Sequence, residues 1–319
     1  MIVVVIPAFR VKKHILDVIS GIGDEVDRII VVDDACPENS GRHVTEHCDD
    51  NRIEVLFHAE NTGVGGAVIT GYRRSLELGA TIVVKVDGDG QMDTSLISQL
   101  VRPIVDGAAD YCKGNRFFSI DELLLMPKMR LLGNSVLSLA NKFVNGYWNL
   151  MDPTNGFTAI GSDVLRKLPL HKIHRRYFFE SDMLFRLGLY RAVVIDIPMQ
   201  PIYADEVSNL RISRVLLEFP PLYLNRAVKR ILYMYFIRDF HAASVELILG
   251  LVLIITGAVL GIQFWHSGSE RKVFTSSGSV MLSALPVILG FQLVLSALNF
   301  DIQNVPRRRS ASHNSVIQE

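Results

Sequence analysis

Two acidic pairs carry the most direct chemical signal in this chain. Asp33-Asp34 follows the apolar run Ile29-Ile30-Val31-Val32, and Asp87-Gly88-Asp89-Gly90-Gln91 follows Ile82-Val83-Val84-Lys85-Val86. Asp-x-Asp presents hard carboxylate oxygens, the donors that Mg²⁺ and Mn²⁺ prefer, and such ions often bridge a protein to substrate phosphates. Gly88 and Gly90 allow a tight turn and leave room for a diphosphate. Any one aspartate at such a place is commonly a helix cap or a turn residue. Two acidic pairs at two strand ends are harder to explain by capping alone. A third stretch, Asn61-Thr62-Gly63-Val64-Gly65-Gly66-Ala67, enters a helical pattern. Glycine turns and helix N-termini favour anions, and a plain strand-to-helix connection reads the same way.

The elements that must position these residues follow from periodicity. Short Val- and Ile-rich runs predict strands at Ile2–Ile6, Arg28–Val32, Arg52–Phe57, Thr81–Val86 and Asp110–Lys113. Their lack of alternation fits strands covered on both faces. Helical segments lie between them, such as Val64–Leu78 and Ser95–Val105. Strands alternating with helices predict an α/β, doubly wound, mostly parallel sheet. In such folds ligands bind beyond the C-terminal ends of the strands, which is where both acidic pairs fall.

In this order, Ile6-Pro7-Ala8-Phe9, Val32-Asp33-Asp34, the Asn61–Ala67 stretch and Asp87-Gly88-Asp89-Gly90-Gln91 resemble the family 2 glycosyltransferases of GT-A fold, and within them the polyprenyl-phosphate and dolichyl-phosphate sugar synthases. The resemblance covers about residues 1–240. It implies that Pro7, Ala8 and Asp34 line a nucleotide pocket with Asp33 nearby, and that Asn61 and Gly65 also bind substrate. It implies that Asp87, Asp89 and Gln91 hold Mg²⁺ or Mn²⁺ on a sugar diphosphate. Arg116 and Arg130 resemble the arginines that grip an acceptor phosphate, with Asn134 a further substrate contact on the helix of Arg130. Asp152, in Asp152-Pro153-Thr154-Asn155-Gly156-Phe157, matches an acidic residue near the sugar. Glu180 and Asp182 match an acidic pair that serves the acceptor, although acidic residues in a first helical turn stabilise any helix. The chain has Asn155-Gly156-Phe157-Thr158 where the dolichyl version usually has Ser-Gly-Phe-Arg, and this leaves the sugar unassigned.

The chemistry so implied is an inverting transfer from a nucleotide-sugar to a polyprenyl phosphate. A phosphate monoester, with a second pKa of about 6, is largely a dianion at neutral pH. Such a nucleophile needs positioning and charge compensation more than a base. Asp152 and Glu180 would then orient rather than deprotonate. Two alternatives remain. A hydroxyl acceptor on a glycolipid or polysaccharide would require a true base, Asp152 or Asp182. An inactive nucleotide-sugar-binding scaffold would not be expected to keep Asp87, Asp89 and Gln91.

Near the C-terminus, Leu247–Trp265 and Val280–Phe300 run for 19 and 21 residues without a charge. As helices they would be about 28 and 32 Å long, enough to cross the hydrocarbon layer. The expected organisation is a catalytic domain over 1–213, a juxtamembrane amphipathic segment over 214–241, two transmembrane helices within 242–302 and a polar tail over 303–319. On Leu222–Phe240, Leu224, Val228, Ile231 and Tyr235 share one helical face and Asn225, Arg226, Lys229 and Arg230 another, the pattern of a helix lying in the membrane interface. Arg226, Lys229, Arg230 and Arg238 before the first span, and Arg307–Arg309 after the second, predict both termini on the cytoplasmic side of the cell membrane.

Lysine plus arginine equals aspartate plus glutamate at 33 each, which argues against a general nucleic-acid binder. Cys36, Cys48 and Cys112 form no CxxC pair and read as reduced thiols. The lipid bilayer is the expected partner beside donor and acceptor, and the sequence leaves homo-oligomerisation open. Met1–Pro7 is too short and lacks the basic flank of a signal peptide, so it reads as a buried first strand.

Overall fold

The computed structural model describes residues 1–118, 128–199 and 212–308, with side chains described outside 128–132 and 212–216. In chain order the elements are β1 (Ile2–Ala8), α1 (Ile15–Ser20), β2 (Arg28–Asp33), α2 (Ser40–His47), β3 (Ile53–Phe57), α3 (Val64–Glu77), β4 (Ile82–Lys85), α4 (Ile97–Val105), β5 (Tyr111–Asn115), α5 (Lys128–Asn145), β6 (Thr158–Gly161), α6 (Ser162–Lys167), α7 (Phe179–Leu189), β7 (Val194–Pro198), α8 (Ile212–Leu232), α9 (Ala242–Arg271) and α10 (Ser277–Gln303).

Among the described residues the sheet has seven strands in the order β3-β2-β1-β4-β6-β5-β7. Of these seven, β6 runs against the rest, antiparallel to both β4 and β5. The non-alternating runs are buried on both faces, with Val3, Val4, Val5 and Ile6 fully enclosed, as strands between two helical layers must be. Each expected strand forms with its ends moved by up to two residues. β6 and β7 had no expected counterpart. Both are short and carry charged or small residues, Thr158-Ala159-Ile160-Gly161 and Val194-Ile195-Asp196-Ile197-Pro198, so their apolar signal is weak. The expected helix at Ser95 begins as a 3₁₀ turn, Thr94–Leu96, whose first turn Asp93 caps by accepting the Ser95 N–H.

The chain divides into two compact units. One is Met1–Ala227, joined by the chain that follows Val305, and the other is Val228–Val305. In the second unit α9 and α10 run for 30 and 27 residues and are long and apolar enough to cross a membrane. Both extend beyond the expected spans because their polar ends continue the helix, so the connection shrinks to 272–276. The two helices meet along small residues. A Cβ on Gly250 would sit 2.8 Å from the Gly290 carbonyl oxygen, and one on Gly257 would sit 2.6 Å from that of Ser283. Ala243, Gly250 and Gly257 recur every seven residues and face Ser283, Gly290 and Ala297, also seven apart. Such residues let helix backbones approach closely where lipid offers no hydrophobic drive.

In the segment expected to be amphipathic, two arginines of the expected polar face, Arg226 and Arg230, are paired with carboxylates. Within the first unit, Arg226 donates to Asp182 at 2.6 Å while Leu224 is exposed. Within the second, Arg230 forks onto Asp301 at 2.8 and 3.0 Å while Val228 and Leu232 are exposed. An isolated helical wheel shows charge but not the carboxylates that meet it.

Candidate active site

Asp33 and Asp34 leave β2 at the expected edge and are both buried, but they do different work. The two oxygens of Asp33 accept the Cys36 N–H at 2.7 Å and the Gly41 N–H at 2.6 Å, so Asp33 ties the entrance of α2. Asp34 turns to the glycine-rich stretch. Its Oδ1 accepts the Thr62 N–H and hydroxyl, both at 2.8 Å, and lies 2.7 Å from His58 Nδ1. Its Oδ2 accepts the Gly63 N–H at 2.8 Å. The anion that this turn favours is thus, in part, the protein's own Asp34. Asn61 donates to the Asp34 carbonyl at 3.1 Å, and the Asp34 N–H donates to the Ala8 carbonyl, so Pro7-Ala8, Asp34 and Asn61 are drawn to one place. Gly65 is required for packing as well: a Cβ there would meet the His174 carbonyl oxygen at 2.5 Å.

The end of β4 carries Lys85, then Asp87, Asp89 and Gln91. Lys85 is 1% exposed and lies 2.7 Å from Asp87 Oδ1 and 3.2 Å from Glu180 Oε1. It also donates to the Gly156 carbonyl at 3.3 Å. Burial works against its charge, but Asp87 and Glu180 outweigh it and hold the ammonium above the usual lysine range. Gly156 lies close under this pair: a Cβ there would sit 2.3 Å from Asp87 Oδ2 and 2.4 Å from Lys85 Nζ, so both side-chain ends would have to shift. Asp89 Oδ1 accepts the Gln91 N–H at 3.0 Å, and Gly90, at φ 77°, makes the turn that allows it.

Asp87, Asp89 and Gln91 offer two carboxylates and an amide oxygen, all hard donors and all partly exposed. Among the described residues no three His, Cys, Asp or Glu side chains form a closed cage. That donor set fits a cation that completes its shell from water and diphosphate oxygens.

On the far side of β6, Arg116 forks onto Asp152, with Nε 2.8 Å from Oδ2 and Nη2 3.1 Å from Oδ1. Asp152 is fully buried. Burial alone would raise its pKa, but the Arg116 guanidinium and the Lys113 ammonium outweigh it and hold the carboxyl below its usual range. Lys113, also buried, donates to the Asp152 carbonyl, and burial lowers its pKa. Asp196 Oδ2 accepts the Met151 N–H at 2.9 Å. Burial pushes the Asp196 carboxyl up to about 6. Arg130 lies in the first turn of α5, and its side chain is outside the described residues. Asn134 is half-buried one turn further on.

Glu180 and Asp182 open α7, but two positions apart on a helix puts them about 200° apart. Glu180 faces Lys85. Asp182 does not join that group: it accepts the His174 N–H at 2.8 Å, Arg186 at 3.1 Å and Arg226 at 2.6 Å. Its surroundings are those of a buried brace between α7, α8 and the 174 segment.

A family model described as "Glycosyl transferase family 2" matches residues 3–169, just over half of the 319-residue chain. The chain belongs to glycosyltransferase family 2. It is 29% identical over 237 residues to the UDP-N-acetylglucosamine–dolichyl-phosphate N-acetylglucosaminyltransferase of Methanococcus voltae, covering 70% of this chain and 94% of that protein. It is 31% identical over 173 residues to the undecaprenyl-phosphate mannosyltransferase of Micrococcus luteus, covering 54% of this chain and 70% of that protein. Among solved structures it is similar to glucosyl-3-phosphoglycerate synthase from Mycobacterium tuberculosis in complex with Mn²⁺, UDP-Glc and phosphoglyceric acid, at 20% identity and a TM-score of 0.51, covering 72% of this chain and 79% of that one. That likeness is one of fold: the first unit is a GT-A-like glycosyltransferase domain.

Three residues of this glycosyltransferase escaped sequence reasoning. His58 braces Asp34 from one side and lies 2.9 Å from the Thr70 hydroxyl on the other. Lys85 and Lys113 sit inside strands, where a charged residue reads as an edge or solvent-facing position. The signal was present at Lys85, flanked by Val84 and Val86 in a run otherwise buried on both faces.

Proposed function

We propose that this glycosyltransferase moves a sugar from a nucleotide-sugar, UDP- or GDP-linked, to the phosphate of a polyprenyl phosphate, with inversion, at the cytoplasmic face of the membrane. The observation that carries the reading is the state of the carboxylates. Glu180 faces Lys85, Asp152 is forked by Arg116, and Asp182 is held by Arg186 and Arg226. All three are already engaged by cationic side chains, which suits an acceptor that arrives already anionic. The dolichyl- and undecaprenyl-phosphate substrates in the names of the Methanococcus and Micrococcus relatives support the same acceptor class.

In this reading Asp87, Asp89 and Gln91 hold one Mg²⁺ or Mn²⁺, which when bound neutralises the departing nucleoside diphosphate as a Lewis acid. Pro7, Ala8, Asn61 and the turn braced by Asp34 shape the nucleotide pocket. Asp33 supports that edge by fixing α2. Gly65 lets the 174 segment close over the turn. Arg116, oriented by Asp152, and Arg130 with Asn134 receive the acceptor phosphate. Glu180 orients through Lys85. The helices α9 and α10 anchor the enzyme where its lipid acceptor resides, and the basic residues around them favour cytoplasmic termini.

The test is a donor screen with UDP- and GDP-sugars against undecaprenyl phosphate, with mass spectrometry of the lipid, followed by Arg116→Lys and Arg130→Lys. Arginine presents a planar fork that lysine cannot reproduce, so acceptor use should fall about tenfold for each 1.4 kcal/mol lost while donor affinity holds. Full transfer by both variants would take the acceptor phosphate away from Arg116 and Arg130, and no transfer to undecaprenyl phosphate by the parent with any donor would favour the hydroxyl-acceptor alternative.

A further inference from the structure

The register of the sheet places two buried lysines on either side of one threonine. Lys85 of β4 and Lys113 of β5 both align with Thr158 of β6. Aligned side chains share a face, so the lysines stand two strands apart, about 10 Å between backbones. Each is 1% exposed. Lys85 contacts Asp87, Glu180 and the Gly156 carbonyl. Lys113 contacts the Asp152 carbonyl, and its register partner Asp196 accepts the neighbouring Met151 N–H. Asp152 in turn fixes Arg116.

Stability does not account for this row. Withdrawing an ammonium from water is costly, and apolar residues in place of buried ion pairs are often neutral or stabilising. The neighbouring positions Val83 and Ile160 show that these strands accept apolar residues. What the row does is connect the sheet interior to two places at its edge, the turn bearing the metal-type carboxylates and the 151–152 loop whose Asp152 holds Arg116.

We propose that Lys85 and Lys113 are positioning residues with divided labour: Lys85 sets Asp87 and Glu180 for the donor and its cation, and Lys113 sets the 151–152 loop, and through Asp152 sets Arg116, for the acceptor. This rests on the function proposed above and assigns two residues to its halves. Thr158 separates the two anchors, so disturbing one need not disturb the other.

The test uses the full chain in nanodiscs, with Lys85→Met, Lys85→Arg and Lys113→Met, and with Thr158→Val as a reference for disturbing the row alone. Thermal midpoints report folding. UDP and GDP binding, each titrated with and without Mn²⁺, reports the donor side without turnover. The KM for undecaprenyl phosphate reports the acceptor side. Lys85→Met should weaken only the Mn²⁺-dependent part of nucleotide binding, by about tenfold, with partial recovery in Lys85→Arg. Lys113→Met should raise the acceptor KM by about tenfold and leave Mn²⁺-dependent binding within about twofold. If both variants lose both properties together, in step with the thermal loss shown by Thr158→Val, the division of labour is overturned. A failure of the underlying function shows itself differently, in the parent: nucleotide binding indifferent to Mn²⁺ removes the role of Lys85, and no transfer to polyprenyl phosphate removes that of Lys113.

Discussion

Arg116 meets the fully buried carboxylate of Asp152 with two nitrogens, at 2.8 and 3.1 Å, while a third of its own side chain stays in solvent. A guanidinium so held has its direction fixed by a buried carboxylate. Asp152→Asn should therefore cost about 3 kcal/mol of stability, the lower part of the range for breaking a buried pair because Arg116 is partly solvated. The pair also has a pH signature. The folded carboxyl titrates below its unfolded value, so its contribution is complete above the unfolded pKa and is lost as pH falls through the folded one. Thermal midpoints measured downward from about pH 5 should fall more steeply in the parent than in Asp152→Asn. Parallel slopes would count against the pair.

Asp89 lies half-buried on the turn after β4 and accepts the Gln91 N–H. Asp89→Asn should abolish transfer and leave the thermal midpoint within a degree or two, because surface loops contribute little packing. EDTA should reproduce the loss in the parent. Activity that survives both would remove the metal from Asp87, Asp89 and Gln91.

Gly156→Ala would place a methyl 2.3 Å from Asp87 Oδ2 and 2.4 Å from Lys85 Nζ. The ends of these two side chains have to shift. Overpacking of this kind costs about 1–3 kcal/mol, yet catalysis should suffer more than stability, by at least about tenfold in kcat/KM. An alanine variant with parental kinetics would show that the spacing of Lys85 and Asp87 is not critical.

Truncation after Phe240 removes α9 and α10 and leaves the sheet and its edge intact. The shortened protein should bind nucleotide-sugar with unchanged affinity. It should lose efficiency with long-chain polyprenyl phosphate far more than with a short soluble analogue. Equal losses on both acceptors would mean that the helices form part of the pocket.

Much of this is legible in the sequence. The uninterrupted Val and Ile runs of β1, β2 and β4 announce strands covered on both faces, and the acidic pairs fall at their ends because a parallel sheet brings those ends to one edge. Position alone could not tell Asp33 from Asp34, because their N–H partners come from different stretches of chain, Cys36 and Gly41 for Asp33 and Thr62 and Gly63 for Asp34. The acidic pair on α7 misled in the same way, since a helix sends Glu180 and Asp182 to opposite faces. The antiparallel β6 was the decisive gap. Without it Lys85 and Lys113 are 28 residues apart in sequence and unrelated; with it they are neighbours across Thr158.

The seven-residue rhythm of Ala243, Gly250 and Gly257 against Ser283, Gly290 and Ala297 has a consequence for how the hairpin can vary. The two helices meet backbone to backbone at Gly250, Gly257 and Gly290, with Ile254, Val287, Leu293 and Val294 packed beside those contacts. The bulky outward residues, such as Ile255, Ile262, Ile288 and Phe291, carry no instruction except to be apolar. Over evolutionary time they can be exchanged to suit a thicker, thinner or stiffer bilayer, while one substitution of Gly250 or Gly290 by leucine would drive the hairpin apart.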